Sequence, residues 1–369
     1  MLYLCHNMKA VTNEWRYYSM NIYDIAKEAG VSPATVSRVI NGNKNVREET
    51  RRKVLEVIKE NNYAPSSVAR NLSIGESQNI AFIVPDVENP FFSKVLQGIT
   101  DKASEFNYNV FMFGTKEDSE REHRILESLK AELIKGLIII PVSEIDKETA
   151  FRLKNFEKAG IPVVLLDRDI KGSSFDGVFS EDIQGAFEAV ECLINEGHRK
   201  IAIISGPDTS RPGHDRVEGY KMALTSHQIP INEDYIVNGK FLEEESYNAI
   251  KTLMELEDPP TAVFSSNNMT TLGCLRYLKE NGMKLVEDIS LVGFDDIKEL
   301  EYTDINLTVV ARPVYEMGKE VMELLERRFR YKQEGDKQKV VTRRNYVKTW
   351  LIKRGSEKYK KFQEGNINE

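Results

Sequence analysis

Short apolar runs alternate with amphipathic stretches from Gln78 onward in this chain. The apolar runs lie at residues 80–84, 110–113, 137–140, 163–166, 201–204, 262–264 and 289–292. Helical patterns lie between them, at residues 91–106, 119–133, 183–195 and 269–281. Runs rich in β-branched residues are typical of strands buried on both faces of a parallel sheet. The pattern therefore predicts an α/β fold of right-handed, doubly wound units, with too many strands for one sheet and hence two lobes.

Several classes of protein are disfavoured by composition. No apolar window is long enough to span a bilayer, and the N-terminus lacks the features of a secretory signal, so we expect a cytoplasmic protein without a membrane partner. The three cysteines, Cys5, Cys192 and Cys274, are widely separated and odd in number, which fits a reducing compartment. They give no disulfide framework, and we expect no metal and no cofactor.

The stretch from residue 21 to residue 41 predicts two short helices joined by a tight turn. Asn21 is suited to cap the first helix, and Gly30 supplies a turn that needs positive φ. Ser32 is a good N-cap and Pro33 a good first residue for the second helix. This arrangement predicts a helix-turn-helix, followed by a third helix.

The second helix separates an inward from an outward face. Val36, Val39 and Ile40 point inward, which leaves outward the side chains that a recognition helix would use: Pro33, Ala34, Ser37 and Arg38. Residues 20–75 contain nine basic and six acidic residues, which gives this segment a charge of +3. Because the net charge of the whole chain is −7, the remaining residues together carry −10. A basic head on an acidic body favours a DNA-reading module joined to a sensor.

These residues resemble the signature of the lactose/galactose repressor (LacI/GalR) family of bacterial transcription regulators. The resemblance is carried by Tyr23-Asp24-Ile25-Ala26, Gly30-Val31-Ser32 and Thr35-Val36-Ser37-Arg38-Val39-Ile40-Asn41, and it extends from Met20 to about Lys353. It implies a periplasmic-binding-protein type of two-lobed core behind the head. Arg47 stands where many members have a serine helix cap, so the start of the third helix is less well explained.

The resemblance also implies roles for residues of the head. Phosphate contacts are implied for Asn21, Tyr23, Ser32, Thr35, Ser37, Thr50 and Tyr63, and base contacts for Pro33, Ala34 and Arg38. Asn41 completes the DNA-binding set in the head. The linker that follows resembles the hinge helix of the family, which is too short to be stable alone, and Leu72 is implied to wedge between base pairs.

Polar and aromatic residues follow the predicted strands of the core. Ligands of such folds bind at the carboxyl ends of the strands, so the cleft between the lobes is the expected effector site. The predicted effector-binding residues are Asn89, Phe91, Phe92, Asp167, Arg168, Arg216, Phe241, Asn267 and Asp295, of which Arg216, Phe241, Asn267 and Asp295 are implied by the resemblance. The family usually has Asn-Asp where this chain has Asn267-Asn268.

The predicted organisation has five parts. They are an N-terminal extension at 1–19, disordered or mis-started; a helix-turn-helix domain at 20–65; a hinge at 66–77; a two-lobed core at 78–353; and a polar tail at 354–369. We expect one lobe to comprise 78–180 plus 313–330, and the other 181–310 plus 340–353. The tail lacks leucine heptads, so a homodimer without a tetramer bundle is expected.

The predicted function is a transcription regulator of the repressor type that binds palindromic operator double-stranded DNA and is controlled by a small-molecule effector. A sugar or sugar phosphate is the expected effector. An enzyme is disfavoured because no phosphate loop, dinucleotide fingerprint, nucleophile elbow or metal-spaced histidine pair occurs. A periplasmic-type sugar binder shares the core but not the head. A regulator whose signal is a partner protein remains an alternative.

Overall fold

The computed structural model describes residues 20–40, 42–43, 45–61, 63, 77–334 and 341–359. The chain divides into two compact units, residues 1–76 and 77–369. The predicted N-terminal extension and almost all of the predicted hinge lie outside the described residues.

The described residues of the first unit form three helices: α1 Ile22–Glu28, α2 Pro33–Ile40 and α3 Glu48–Glu60. One small core joins them, formed by Ile25, Ala26, Val36, Val39 and Val54, all of which are buried. Because Ala26 is small, α1 and α2 can cross closely, as a helix-turn-helix requires.

The second unit begins with a lobe built on a six-stranded parallel sheet. Its strands are β1 Asn79–Val84, β2 Asn109–Gly114, β3 Gly136–Ile139, β4 Val163–Leu166, β5 Asp176–Ser180 and β11 Arg344–Val347, in the order β11-β5-β4-β3-β1-β2. Its helices are α4 Pro90–Ser104, α5 Ser119–Leu129, α6 Lys147–Lys158 and α11 Val314–Glu334. Two apolar clusters lie on the two faces of the sheet, so its central strands are buried on both sides.

The second lobe repeats this plan. Its strands are β6 Ile201–Ser205, β7 Ile236–Asn238, β8 Ala262–Ser265, β9 Ser290–Phe294, β10 Thr308–Ala311 and β12 Trp350–Ile352, in the order β12-β10-β9-β8-β6-β7. All neighbours are parallel except β10 and β12. Its helices are α7 Asp182–Asn195, α8 Arg211–Ser226, α9 Glu243–Met254 and α10 Asn268–Glu280. The predicted pair of doubly wound lobes is confirmed.

The chain passes between the lobes three times, after β5, β10 and β11. The first two passages leave at the carboxyl ends of strands, so the residues that follow β5 and β10 lie at the boundary between the lobes. This is the edge at which ligands of doubly wound sheets bind.

Two predicted boundaries in the C-terminal part are corrected. Residues 340–353 were expected to belong to the second lobe, but β11 is hydrogen-bonded to β5 in the first sheet and only β12 joins the second. The first part of the predicted polar tail is part of the second lobe, because Ser356 and Glu357 are buried and Ser356 bonds to the backbone of Leu291. Polar composition concealed this packing, since Ser356 donates to the Leu291 carbonyl and Glu357 accepts from the Gly355 N–H and the Thr308 hydroxyl.

One strand departs from the expected burial. β2 is an edge strand, and Phe111 on it is half exposed. Within the described residues, no helix has the length and apolar character needed to cross a membrane.

Candidate functional site

Side-chain caps fix the first two helices of the head. The Asn21 side chain accepts from the backbone of Tyr23 and Asp24, while Asp24 accepts from the Asn21 N–H at 2.9 Å. Gly30 has φ of +67°, which glycine adopts without strain. The hydroxyl of Ser32 accepts from the Thr35 N–H at 3.2 Å. These predicted start signals are confirmed, and they fix the turn between α1 and α2.

The outward face of α2 carries the predicted base-reading side chains. Ala34 and Arg38 are exposed, and Pro33 is partly exposed on the same helix. Of the residues predicted to contact phosphates, Asn21, Tyr23 and Ser32 are exposed, whereas the following are partly buried: Thr35, Ser37, Thr50 and Tyr63. Tyr23 is 70% exposed and is therefore accessible to a partner.

Two of the residues predicted to bind DNA cannot be placed in the structure. Asn41 and Leu72 lie outside the described residues. Arg47 occupies the N-cap position of α3 and makes no side-chain capping bond, in line with the departure noted in the sequence.

In the core, the two predicted aspartates occupy equivalent places. Asp167 follows β4 and Asp295 follows β9, and these strands have the same position in their sheets. Each aspartate has positive φ, +61° and +70° respectively. Each donates its N–H to the next strand, to Val178 and Val310, both at 2.8 Å. Strained residues of this kind persist where the surrounding structure holds them, often at functional sites.

A residue outside the predicted set joins these aspartates. Arg312, directly after β10, donates Nε and Nη2 to the two oxygens of Asp295 at 2.6 and 2.9 Å. Its Nη1 donates to Asp167 and, at 2.9 Å, to the Ser180 hydroxyl. Burial alone would raise the pKa of Asp167, but Arg312 and Arg216 hold it below its ordinary value. Both carboxylates and the guanidinium are buried, so the group is a charged cluster shared by the lobes.

Arg216 is held within the second lobe. Its Nε and Nη2 donate to Asp182 at 2.9 and 2.7 Å, and Nη1 donates to the Ser266 carbonyl. The guanidinium carbon lies 3.6 Å from the centroid of the Phe294 ring, a stacking distance. Arg216 is therefore oriented by a carboxylate, a carbonyl and an aromatic face.

Arg168 has the matching arrangement in the first lobe. Its Nη1 and Nη2 donate to Glu117 at 2.7 and 2.6 Å, a bidentate ion pair. Burial would lower the pKa of Arg168, but Glu117 keeps it above its ordinary value. The guanidinium lies 5.5 Å from the Phe241 ring of the other lobe. Phe241 has φ of +61°, and its ring covers Gly206, where a Cβ would lie 2.1 Å from it.

The asparagines have separate tasks. Asn89 caps α4 by accepting from the Phe91 N–H at 2.9 Å, and it also accepts from Asn268 of the other lobe at 3.3 Å. Asn267 caps α10, and its Oδ1 accepts from the Thr270 N–H at 2.8 Å. The side-chain oxygen of Asn267 is thus engaged in capping, and Asn268 is the asparagine of this pair that reaches across the cleft.

The two phenylalanines at the start of α4 differ in their surroundings. The Phe91 ring lies 4.1 Å from the guanidinium of Arg312, at the cleft. Phe92 packs edge to face on Phe91, and both rings belong to the apolar cluster of the first lobe. The structure brings Phe91 together with the polar residues of the cleft and gives Phe92 a packing role.

Three buried polar atoms of the cleft have no hydrogen-bond partner among the described residues: Arg168 Nε, Ser266 Oγ and Asn268 Oδ1. Their residues are at most 2% exposed. Buried polar atoms are nearly always paired, so such atoms indicate a place where a polar ligand or water bonds. Across the described part of the chain, no cluster of three or more His, Cys, Asp or Glu side chains could hold a metal ion.

Sequence reasoning missed several participants. Arg312, Glu117, Asp182 and Ser266 all contact predicted site residues. Their position in the chain was the available signal, since Arg312 directly follows β10 and Asp182 comes two residues after the end of β5, and the apolar runs revealed neither strand.

Both units of the chain match models of known protein families. Residues 21–66 match the model of bacterial regulatory proteins of the lacI family, and residues 77–349 match that of periplasmic binding proteins and the sugar binding domain of the LacI family. The chain belongs to the LacI family. Among LacI-family relatives, catabolite control protein A of Priestia megaterium is 34% identical over 308 residues, 83% of this chain and 92% of the relative.

Solved LacI-family structures agree with the fold. A lac repressor dimer bound to operator and an anti-inducer has a TM-score of 0.76 and 25% identity, with 92% of this chain and 99% of that chain covered. A cellobiose complex of the regulator CelR has a TM-score of 0.67 and 26% identity, with coverage of 91% and 99%.

The LacI-family membership fixes the class of function. The chain is a DNA-binding transcriptional repressor with an effector-binding core, and its relatives include HTH-type transcriptional repressors such as PurR of Haemophilus influenzae and CytR of Escherichia coli. The protein is a regulator and not an enzyme. The predictions of the family, the fold class and a DNA-binding repressor with an effector-binding core are confirmed.

Proposed function

We propose that an uncharged sugar binds between the two lobes of the core and controls the affinity of paired heads for a palindromic operator. The observation that carries this proposal is the set of unpaired buried polar atoms, contributed by Arg168, Ser266 and Asn268 from both lobes. Hydroxyl groups of a sugar can donate to and accept from such atoms. The rings of Phe91, Phe241 and Phe294, which lie among them, offer faces for a sugar ring.

The charge balance of the cleft favours an uncharged ligand over a sugar phosphate. Three guanidiniums face four carboxylates there, in the sets Arg168–Glu117, Arg216–Asp182 and Arg312 with Asp167 and Asp295. These three sets together carry one net negative charge, and each arginine in them is already paired. An anionic ligand would lose its hydration without gaining a free cation. The cellobiose bound to CelR, an uncharged sugar, is consistent with this choice.

The effector residues proposed for this site are Asn89, Phe91, Asp167, Arg168, Arg216, Phe241, Asn267 and Asp295, together with Arg312, Ser266 and Asn268. Phe92 packs edge to face against Phe91 and so helps to hold that ring in place. A matched panel tests the ligand class: the melting temperature of the full chain is measured with cellobiose, ribose, glucose 6-phosphate, galacturonate and hypoxanthine.

At least one uncharged sugar is expected to raise the melting temperature of the wild type, and Asp295→Asn is expected to abolish the rise. Asp258→Asn, an exposed carboxylate of the same lobe, is the control and should keep it. A rise with the anionic sugars but not the uncharged ones would contradict the charge argument. A rise with hypoxanthine alone, or with none of the panel, would reject a sugar as the effector.

For the head, the proposal is that two copies of the chain bind one operator, with α2 of each in the major groove. Arg38 reads a base, and Pro33 and Ala34 lie against base edges. The exposure of Arg38 and Ala34 on the outward face of α2 supports this assignment. Asn21, Tyr23, Ser32, Thr35, Ser37, Asn41, Thr50 and Tyr63 complete the contacts, and Leu72 of the hinge enters the minor groove. Binding to chromosomal DNA would place the protein in the cytoplasm.

Arg38→Ala tests the base-reading role on a duplex selected from a random pool by the wild type. Specific binding is expected to weaken by about 1–3 kcal/mol, while binding to unrelated duplex changes little. Lys53→Ala on the exposed side of α3 is the control and should leave discrimination unchanged. Equal losses on both duplexes for Arg38→Ala would remove this residue from base readout.

A further inference from the structure

The two lobes present an aspartate at the same topological place, and the guanidinium of Arg312 bonds to both aspartates. Asp167 ends β4 and Asp295 ends β9, with matching positive φ and matching N–H bonds to the neighbouring strand. The positions that follow those neighbouring strands differ, because β5 leads into Glu181 whereas β10 leads directly into Arg312. One arginine therefore serves two equivalent carboxylates.

The bonds of Arg312 are divided unequally between the lobes. Two of its nitrogens, Nε and Nη2, bind Asp295 of the second lobe. The remaining nitrogen, Nη1, binds Asp167 and Ser180 at the edge of the first lobe. The guanidinium also lies over Phe91 of the first lobe, at 4.1 Å. Arg312 is thus anchored in the second lobe and reaches the first through one nitrogen and one ring face.

Other contacts between the lobes are weaker or lie nearer the rim. Asn268 donates to Asn89 at 3.3 Å, a neutral amide pair. His214, whose side chain is 38% exposed, contacts Glu144 at 3.0 Å. His214 also lies between two carboxylates, since it contacts Asp215 of the second lobe at 2.9 Å, but its side chain is far more exposed than that of Arg312, which is 2% exposed.

We propose that Arg312 is the positioning residue that sets the relative placement of the two lobes, and with it the spacing of the two carboxylates that face a ligand. When the lobes approach, Asp167 and Asp295 are brought together in a buried region. Two carboxylates in such a place repel each other unless a cation lies between them. Arg312 converts that repulsion into attraction, and this role holds whichever ligand the cleft takes.

The distance between the lobes can be measured directly in the full chain. Spin labels are attached at Lys154→Cys on α6 and Lys251→Cys on α9, which are exposed positions of the first and second lobe. Cys5 is replaced by serine, while Cys192 and Cys274 are buried and need no replacement. Pulsed electron resonance then gives the distribution of distances between the lobes, without any ligand.

Arg312→Gln is expected to shift the main population to a longer distance, because it removes the guanidinium that bonds to both Asp167 and Asp295. Adding Asp167→Asn to Arg312→Gln is expected to return part of the population to the shorter distance, since one of the two charges is then gone. A purely structural role for Arg312 does not predict this recovery. Arg328→Gln is the control, because it breaks an ion pair with Asp176 inside the first lobe and should leave the distribution unchanged.

A wild-type distribution for Arg312→Gln, or no recovery in the double variant, overturns the proposal. If Arg312→Gln does not accumulate as folded protein, Asp167→Asn alone decides. That variant keeps the Arg312–Asp295 pair, and it should broaden the distribution toward longer distances. An unchanged distribution for Asp167→Asn would then count against Arg312.

Discussion

The two lobes of the core share one strand order but join their helix layers differently. In the first lobe, α4 crosses α11, and both helices have a glycine at the contact: a Cβ on Gly98 would lie 2.1 Å from the Tyr315 carbonyl, and one on Gly318 2.2 Å from the Val95 carbonyl. In the second lobe, α7 and α8 cross with a single glycine, Gly219.

The two helix crossings differ in how far apart their helices lie in the sequence. Helix α11 returns to the first lobe after the chain has built most of the second, whereas α7 and α8 are neighbours in sequence. The first lobe therefore depends on a long-range contact, and its two-glycine crossing allows the backbones to approach closely. The second lobe completes the equivalent layer from a local pair.

The largest expected effect follows from this contact. Gly98→Ala should destabilise the protein by about 3 kcal/mol, because the new methyl meets the backbone of α11, which cannot move aside as a flexible side chain could. Hydrogen exchange should show α4 and α11 loosened more than α7 and α8. Ser104→Ala on the exposed side of α4 is the control. Equal loosening of both lobes would show that the two crossings are energetically linked.

Buried ionisable groups give the lobes opposite responses to pH. In the first lobe, burial raises the pKa of Glu122 to about 7, against hydrogen bonds from Thr149 and Val142 that lower it. The folded state therefore holds a proton that the unfolded chain releases above its ordinary pKa of 4.5. Stability from this group is fully present below pH 4.5 and is lost as the pH rises toward 7.

Glu122→Gln should remove this loss, so that the free energy of unfolding falls by about 2 kcal/mol less between pH 5 and pH 8 than in the wild type. The figure is below the full pKa difference, because buried sites relax and admit water. Urea unfolding at a series of pH values measures it, with the exposed Glu132→Gln as the control. An unchanged pH profile for Glu122→Gln would mean that Glu122 remains ionised in the fold.

The second lobe has a buried histidine of the opposite kind. Burial lowers the pKa of His198 to about 4, although its bond to the Glu357 carbonyl acts in the other direction. The unfolded chain binds a proton below pH 6.5 that the folded state excludes, so stability falls as the pH drops from 6.5 toward 4.

His198→Gln should therefore reduce the acid sensitivity of the second lobe, by about 1–2 kcal/mol between pH 7 and pH 5. Hydrogen exchange at the two pH values, read separately for peptides of each lobe, distinguishes this effect from that of Glu122. A change confined to peptides of the first lobe would contradict the assignment.

The smallest effect is expected at exposed ion pairs, where the lobes should not differ. Lys130–Glu127 in the first lobe and Lys200–Asp258 in the second are both largely exposed. Solvent screening and side-chain entropy leave little net stabilisation in such pairs. Lys130→Ala and Lys200→Ala should both leave the urea midpoint unchanged, and a clear shift in either would reveal a contact beyond the ion pair.

Local features of the chain were predictable from sequence. Asn21, Gly30 and Ser32 act within one turn of their own backbone, so their residue types alone predicted the caps and the turn of the head. The apolar runs predicted seven of the strands. Strands β5 and β10 were missed because their apolar residues are few and are flanked by polar or small residues, and two residues that come after them, Asp182 and Arg312, were missed with them.

Periodicity, capping and turn preference act over a few residues, so the head, the alternation of strands and helices, and the edge of the sheets at which polar residues gather were predictable from residue order alone. Long-range packing placed β11 in the first sheet, made Asn267 a cap while Asn268 crosses the cleft, and joined Asp167 to Asp295 through Arg312. These outcomes depend on pairings between segments far apart in the chain. Such pairings are chosen by which surfaces and charges meet once the lobes have formed, and no local pattern records that choice.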